Sequence, residues 1–251
     1  MRRSFRLGPV RIDSVTRAEA LQAVVDLVAA GAGGAVFTPN VDHVMIAHEE
    51  ERMRSAYTRA DLTIADGMPI VWASHLLRKP IPERVAGSDF VPLLLERAAS
   101  EQWRVYFLGG ASGVAEMART KTLARHPDLQ IVGVDSPRFD VDQPPERQAE
   151  VVARVRAARP HLVLVAFGAP KQEIWIDRAR DELKPAVLFG VGATLDFLAG
   201  TMPRAPRWMA RTGLEWSFRL AREPRRLWRR YLVRDPKFLL VLARALGSSG
   251  R

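Results

Sequence analysis

The stretch "FTPNVDHVMIAHEEERMRSAYTRADLTIADGMPIVW" (residues 37–72) uses one grammar twice. A short apolar run ends in a polar cluster, Thr38-Pro39-Asn40 and then Asp66-Gly67-Met68-Pro69, and each cluster leads into a segment of helical periodicity. The same alternation runs through most of the chain. "GAVFT", "DLTIAD", "WRVYFLGG", "LQIVGVD", "HLVLVAFG" and "PAVLFGVG" are strand-length apolar runs, each followed by a segment of 3.6-residue period. Six strand-then-helix units predict an α/β fold, a mostly parallel sheet with helices on both faces. "SFRLGPVRID", with Gly-Pro between two alternating runs, predicts a small edge hairpin.

The strands stop near residue 203. Beyond it, "RAPRWMARTGLEWSFRLAREPRRLWRRYLVRDPKFLLVLARAL" reads as three short helices divided near Pro224 and Pro236. The chain is therefore expected to hold a catalytic unit over 1–203 and a basic helical appendage over 204–251. Charge divides at the same place. Residues 1–200 hold 25 basic and 25 acidic side chains, and residues 201–251 hold 13 and 3, so the formal net charge of +10 belongs to the tail. On its first helix, Arg207, Arg211, Glu215, Arg219 and Arg222 follow i+3 and i+4 steps. Arg225, Arg226, Arg229 and Arg230 then cluster, interleaved with Trp228 and Tyr231. Arginine among indoles fits an anionic membrane surface better than nucleic acid, and no nucleic-acid partner is expected. Packing of the apolar side on the sheet is compatible with that reading. No run reaches transmembrane length, and "MRRSFRLGPVRIDS" has no apolar h-region. The absence of cysteine excludes disulfides, thiolate metal ligands and a Cys nucleophile.

In an open parallel sheet, ligands bind where strands end and helices begin, because helix N-termini offer unpaired N–H groups there. Thr38, Asn40 and Asp66 all occupy such ends. Helix capping alone would explain one such cluster, but two on one edge suggest a shared crevice. Asp66, beside a glycine that leaves room for a substrate, is placed to accept a hydroxyl proton. His43 is a second possible base, although its place within a helix favours packing. "FLGGASGVAE" puts Gly109 and Gly110 at a third strand end, "VAFGAPKQEIW" puts Gly168, Lys171 and Gln172 at another, and "FGVGATLDF" adds Gly192 and Asp196. Together they suggest a nucleotide or sugar-phosphate ligand. The spacing G-G-x-x-G is not the dinucleotide fingerprint, and Asp135 is the nearest candidate for a ribose-binding acid. Asp140-Val141-Asp142 has the form of a metal-binding D-x-D, but its Pro-rich setting reads as a turn before a helix, so no metal is expected.

The ordered set T-x-N, A-D-G-x-P, E-R-V-x-G-x-D (Arg84, Gly87, Asp89), F-L-G-G, F-G-x-P-K-Q-E, G-V-G-A-x-x-D-F, R-A-P-x-W and G-L-E-W closely resembles the WecG/TagA/CpsF glycosyltransferases, glycosyltransferase family 26. The likeness runs from about residue 5 to 235. It implies a Rossmann-like core and a peripheral membrane enzyme on the cytoplasmic face of the plasma membrane. Such an enzyme moves a sugar, with inversion, from a UDP-sugar to a polyprenyl-diphosphate-linked acceptor in cell-envelope or exopolysaccharide synthesis. It implies no cofactor and no required metal, and leaves room for a homo-oligomer. Asp66 would be the general base with Thr38 and Asn40 beside it, and Gln172 would lie near the reacting sugar. Arg84, Gly109, Gly110, Asp135, Gly168, Lys171, Gly192 and Asp196 would form the UDP side. Arg219, Arg226 and Arg229 would face a diphosphate. The alternative is a non-catalytic nucleotide-binding protein whose tail docks RNA or a partner.

Overall fold

The computed structural model describes residues 2–249. The expected arginine stripe begins at Arg207 and Arg211, whose side chains lie outside the described residues, so it is followed from Glu215 onward.

The hairpin forms as strands β1 (Ser4–Leu7) and β2 (Val10–Asp13), paired antiparallel around Gly8. It is a two-stranded sheet of its own, joined to the main sheet by a single parallel bridge from Asp13 to Ile64. Helix α1 (Arg17–Ala30) opens on a capping box, in which the Thr16 Oγ1 accepts from the Glu19 amide and the Glu19 carboxylate accepts from the Thr16 amide. Strand β3 (Gly34–Phe37) leads to α2 (Val41–Glu49) and α3 (Glu51–Thr58). Strand β4 (Leu62–Thr63) leads to α4 (Met68–Leu76) and α5 (Gly87–Ser100). The units β5 (Arg104–Gly109) with α6 (Val114–Arg125), β6 (Gln130–Asp135) with α7 (Pro145–Ala157), β7 (Leu162–Ala166) with α8 (Lys171–Ala179), and β8 (Val187–Gly190) with α9 (Thr194–Ala199) complete the core.

The six strands β3–β8 form one parallel sheet in the order β4-β3-β8-β7-β5-β6, with helices around it, the expected Rossmann-like α/β architecture. Successive residues alternate between its faces. Phe37, Val163 and Leu188 enter one apolar cluster with Tyr57 and Trp175, whereas Val36, Leu164 and Phe189 enter the other with Phe90 and Phe107.

Strand β4 is shorter than "DLTIAD" suggested. At Thr63 the backbone N–H turns to the buried Asp13 carboxylate (2.8 Å), and Ile64 bridges the hairpin, so the edge is covered instead of lengthened.

The tail also departs from three simple helices. The first breaks into α10 (Arg207–Arg211) and α11 (Glu215–Arg222) at Gly213, which has φ +74° and packs so tightly on Trp72 that a Cβ would lie 2.6 Å from the indole. Helix α12 (Pro224–Trp228) continues into a π-helical turn over Arg229–Arg234 and a 3₁₀ turn over Asp235–Lys237 before α13 (Phe238–Ser249). Phe238, Val241 and Leu242 of α13 belong to the core cluster, while Leu239 and Leu240 are 68% and 63% exposed. One side of that helix packs and the other faces outward.

Candidate active site

The ends of β3 and β4 are tied together. The Asp66 amide donates to the Pro39 carbonyl (2.9 Å), and the Val85 amide donates to the Ala65 carbonyl (3.0 Å), which draws the loop carrying Arg84 to the same place. Gly67, at φ +109°, lets the chain turn directly into α4. The Asn40 Oδ1 caps α2 by accepting the His43 amide (3.2 Å). Thr38 is buried, and a Cβ added to Gly87 would lie 3.7 Å from its Oγ1 and 3.6 Å from that of Thr194, so the start of α5 closes on the ends of β3 and β8.

These residues open on a cavity of about 450 Å³. Asn40, Asp42, Asp66 and Arg84 come from the sheet domain, and Trp72 and Leu76 from α4. Glu215, Trp216, Arg219, Arg230, Tyr231 and Leu239 of the tail close it. Asn40 and Asp66 therefore share one chamber with the basic appendage, whereas Thr38 and Gln172 do not line it.

Burial pushes the Asp66 carboxyl up to about 6, helped by the Glu215 and Asp89 carboxylates and restrained by Arg84 and Arg219. Glu215 bridges the two cations: Arg84 Nη1 donates to its Oε2 (3.1 Å) and Arg219 Nη2 to its Oε1 (2.6 Å). On the other side, Arg230 pairs with the buried Asp42 (3.2 Å) and reaches the Asn40 Oδ1 (3.4 Å), and Arg234 also pairs with Asp42. Burial likewise raises Asp235, beside Arg230, to about 6.

Behind this wall lies a buried polar chain. Gln172 Oε1 accepts from the Gly192 amide (2.9 Å) and its Nε2 donates to the Glu173 Oε1 (2.8 Å). The His43 Nδ1 lies 2.7 Å from the Tyr57 hydroxyl and 3.7 Å from Glu173. Burial and then the charges of Arg230 and Arg234 hold His43 down to about 3, so it is neutral at physiological pH and a poor base. Burial pushes Glu173 up to about 7. The ring near Glu173 is a hydrogen-bonding partner, not a cation.

The remaining rim residues spread along the sheet edge. Gly192, Gly168, Gly109 with Gly110, and Asp135 lie at the ends of β8, β7, β5 and β6 in that order. Gly109 has a packing reason of its own, since a Cβ there would lie 2.7 Å from the Ala166 carbonyl oxygen. Lys171 Nζ donates to the Phe139 carbonyl (3.0 Å), and Asp135 pairs with Arg154 (2.7 Å). Asp196 is half-buried and raised by that burial. The carboxylates of the D-x-D loop are taken by protein cations, Asp142 by Arg52 (2.7 Å) and Asp140 by Lys171 (3.8 Å).

A second cavity, of about 520 Å³, adjoins the first. Arg84, Glu215 and Arg219 line both, and Arg17, Arg204, Arg222, Phe197 and Phe218 line the second. Of Arg219, Arg226 and Arg229, the three arginines expected to face a diphosphate, Arg219 alone lines these chambers. Arg226 is exposed and pairs with Glu223 (2.6 Å), and Arg229 is exposed over the Trp228 ring. Arg230 and Tyr231 face the site in addition. The turn there is π-helical, which rotates successive side chains differently from the α-helical spacing that a sequence reading assumes.

The edge of a parallel sheet, a raised carboxyl and arginine and aromatic side chains of the tail come together at one chamber. The chain matches the WecG/TagA/CpsF glycosyl transferase family over residues 5–250, and it belongs to that family. A Bacillus spizizenii protein named N-acetylglucosaminyldiphosphoundecaprenol N-acetyl-beta-D-mannosaminyltransferase is 32% identical to it over 210 residues, covering 84% of this chain and 79% of the relative. The protein is an enzyme of the hexosyltransferase class. Among the described residues, no helix is long and apolar enough to cross a membrane.

Proposed function

We propose that this enzyme transfers a hexose or N-acetylhexosamine-type sugar from a UDP-sugar to a polyprenyl-diphosphate-linked acceptor sugar, with inversion, at the cytoplasmic face of an anionic membrane in cell-envelope or exopolysaccharide synthesis. The observation that carries this reading is the raised Asp66 carboxyl in a chamber walled by arginines and roofed by an amphipathic tail.

In a single displacement, Asp66 takes the proton of the acceptor hydroxyl as its oxygen forms the new bond to the anomeric carbon. The bond from that carbon to phosphate breaks on the opposite face, and UDP departs with the electron pair. One base suffices, and no second nucleophilic carboxylate is required. We assign Asn40, which lines the chamber with Asp66, and the buried Thr38 to the pocket around the base. Arg84, Arg219 and Arg230 stabilise diphosphate charge through guanidinium N–H groups, which is why we expect turnover without a metal. Gln172 has both ends of its amide engaged within the protein, so we assign it to positioning the Gly192 loop near the donor. The strand-end residues Gly109, Gly110, Gly168, Lys171, Gly192 and Asp196 form the nucleotide side.

The activity for which the Bacillus relative is named supports a polyprenyl-linked N-acetylglucosamine acceptor and an N-acetylmannosamine donor as the first pair to test. The assay incubates the protein with polyprenyl-diphosphate N-acetylglucosamine and a panel of UDP-sugars and measures UDP release, with and without EDTA. Release with one donor that survives EDTA is the expected result. Absence of release with every donor would sink the activity, and loss in EDTA would sink metal independence.

A further inference from the structure

The wall between the two cavities is a salt bridge. Arg84, Glu215 and Arg219 face both chambers, with side chains 15%, 27% and 32% exposed, so the bridge is neither sealed in the core nor free in solvent. Glu215 is one of three acidic residues in the last 51 of the chain, and its two carboxylate oxygens each take one guanidinium, at 3.1 and 2.6 Å. A carboxylate that bridges two guanidinium groups presents what a diphosphate would present: paired oxygens and negative charge, with fewer acceptors. The cations have other anchors. Arg84 lies 3.5 Å from Asp89, and Arg219 stacks over Phe197 at 5.8 Å, so neither depends on Glu215 alone for its place.

We propose that Glu215 is a built-in stand-in for a substrate diphosphate, occupying Arg84 and Arg219 while the site is empty and yielding them when a diphosphate enters, which joins the two cavities into one cleft. This rests on the reading of the site as one that takes a diphosphate-bearing sugar carrier. The exchange has a consequence for the base. Asp66 faces Glu215 and Arg219 from the tail, and Arg84 and Asp89 from the α5 side. A diphosphate carries more negative charge than the carboxylate it displaces, and Glu215 stays tethered on α11, so the exchange makes the surroundings of Asp66 more negative. A stand-in also keeps two guanidinium groups from repelling each other in the empty protein.

The test is binding without turnover. Inorganic pyrophosphate is titrated into the wild-type protein and into Glu215→Gln, followed through the tryptophan fluorescence of Trp216 and Trp72, which line the first cavity. Removing the competing charge is expected to tighten pyrophosphate about tenfold, as suits a charged hydrogen-bond competitor. Parallel titrations with UDP and with geranyl diphosphate identify the source, donor or lipid, as the ligand that tightens with it. Unchanged or weaker binding in the variant overturns the proposal, and so does a lack of saturable binding in both proteins. Should the Gln variant not fold, Glu215→Asp, whose carboxylate is too short to span both cations, is read by the same criterion. None of these titrations involves sugar transfer, so failure of the stand-in is distinct from failure of the UDP-release assay.

Discussion

Asp66 and Glu173 are both raised by burial, yet only Asp66 lines the chamber, and the difference separates a catalytic prediction from a stability prediction. An acid raised to about 6 is a base only above that pH, so kcat/KM should fall as pH drops through about 6. Asp66→Asn should lower turnover about a hundredfold or more while the protein stays folded. A wild-type pH profile with no limb near 6, or an active Asn variant, would remove Asp66 from the role. Glu173 is completely buried, and its folded-state value of about 7 lies above the ordinary carboxylate value. The folded protein then holds a proton that the unfolded chain releases at lower pH, so this group favours folding less and less as pH rises from about 4.5 to 7. Glu173→Gln should therefore flatten the fall in stability between pH 5 and 8, measured by denaturant midpoints, and a parallel curve would contradict the assignment. Asp66 was legible because a strand end followed by glycine has a meaning in an open sheet. Glu215 and Arg230 were not, because their site partners Arg84 and Asn40 lie 131 and 190 residues away in the chain.

At the scale of elements, α13 is where sequence reading stopped short. "PKFLLVLARALG" is apolar enough for either core or membrane, and only the packing shows that Phe238, Val241 and Leu242 turn inward while Leu239 and Leu240 turn out. Period alone cannot say which stripe of an almost wholly apolar helix meets the protein. The break at Gly213 was equally hidden, because its cause is the Trp72 indole of a distant helix. The six strands, by contrast, were readable because strands of a covered parallel sheet are continuous apolar runs. The two faces of α13 should separate in experiment. Leu242→Ala should cost about 2–5 kcal/mol of stability, the usual range for a buried leucine. Leu239→Ser with Leu240→Ser should leave the denaturant midpoint within error while weakening vesicle binding. Equal destabilisation by both changes would mean that the outer face is also packed.

For the whole molecule, the charge asymmetry and the exposed apolar residues fall around the same chamber. Trp72, Leu76, Trp216 and Leu239 are all exposed and all line the first cavity, so its mouth is an apolar rim. Large apolar side chains on a surface that is also basic mark an interaction site, and an anionic bilayer answers both properties. An acceptor with a polyprenyl tail could then present its sugar to Asp66 while its chain stays in lipid. Arg225, Arg229 and Lys237 are exposed and outside both cavities, so they test attraction without touching the chemistry. Changing all three to Gln should weaken binding to vesicles containing phosphatidylglycerol about tenfold to a hundredfold, at roughly 1 kcal/mol or less for each cation. The same change should have little effect on neutral phosphatidylcholine vesicles, and added salt should shrink the difference between the two proteins, because screening acts on charge and not on the apolar rim. Vesicle sedimentation reads both effects, and binding that ignores the triple change and salt alike would show that the basic tail serves the interior of the protein instead of a membrane.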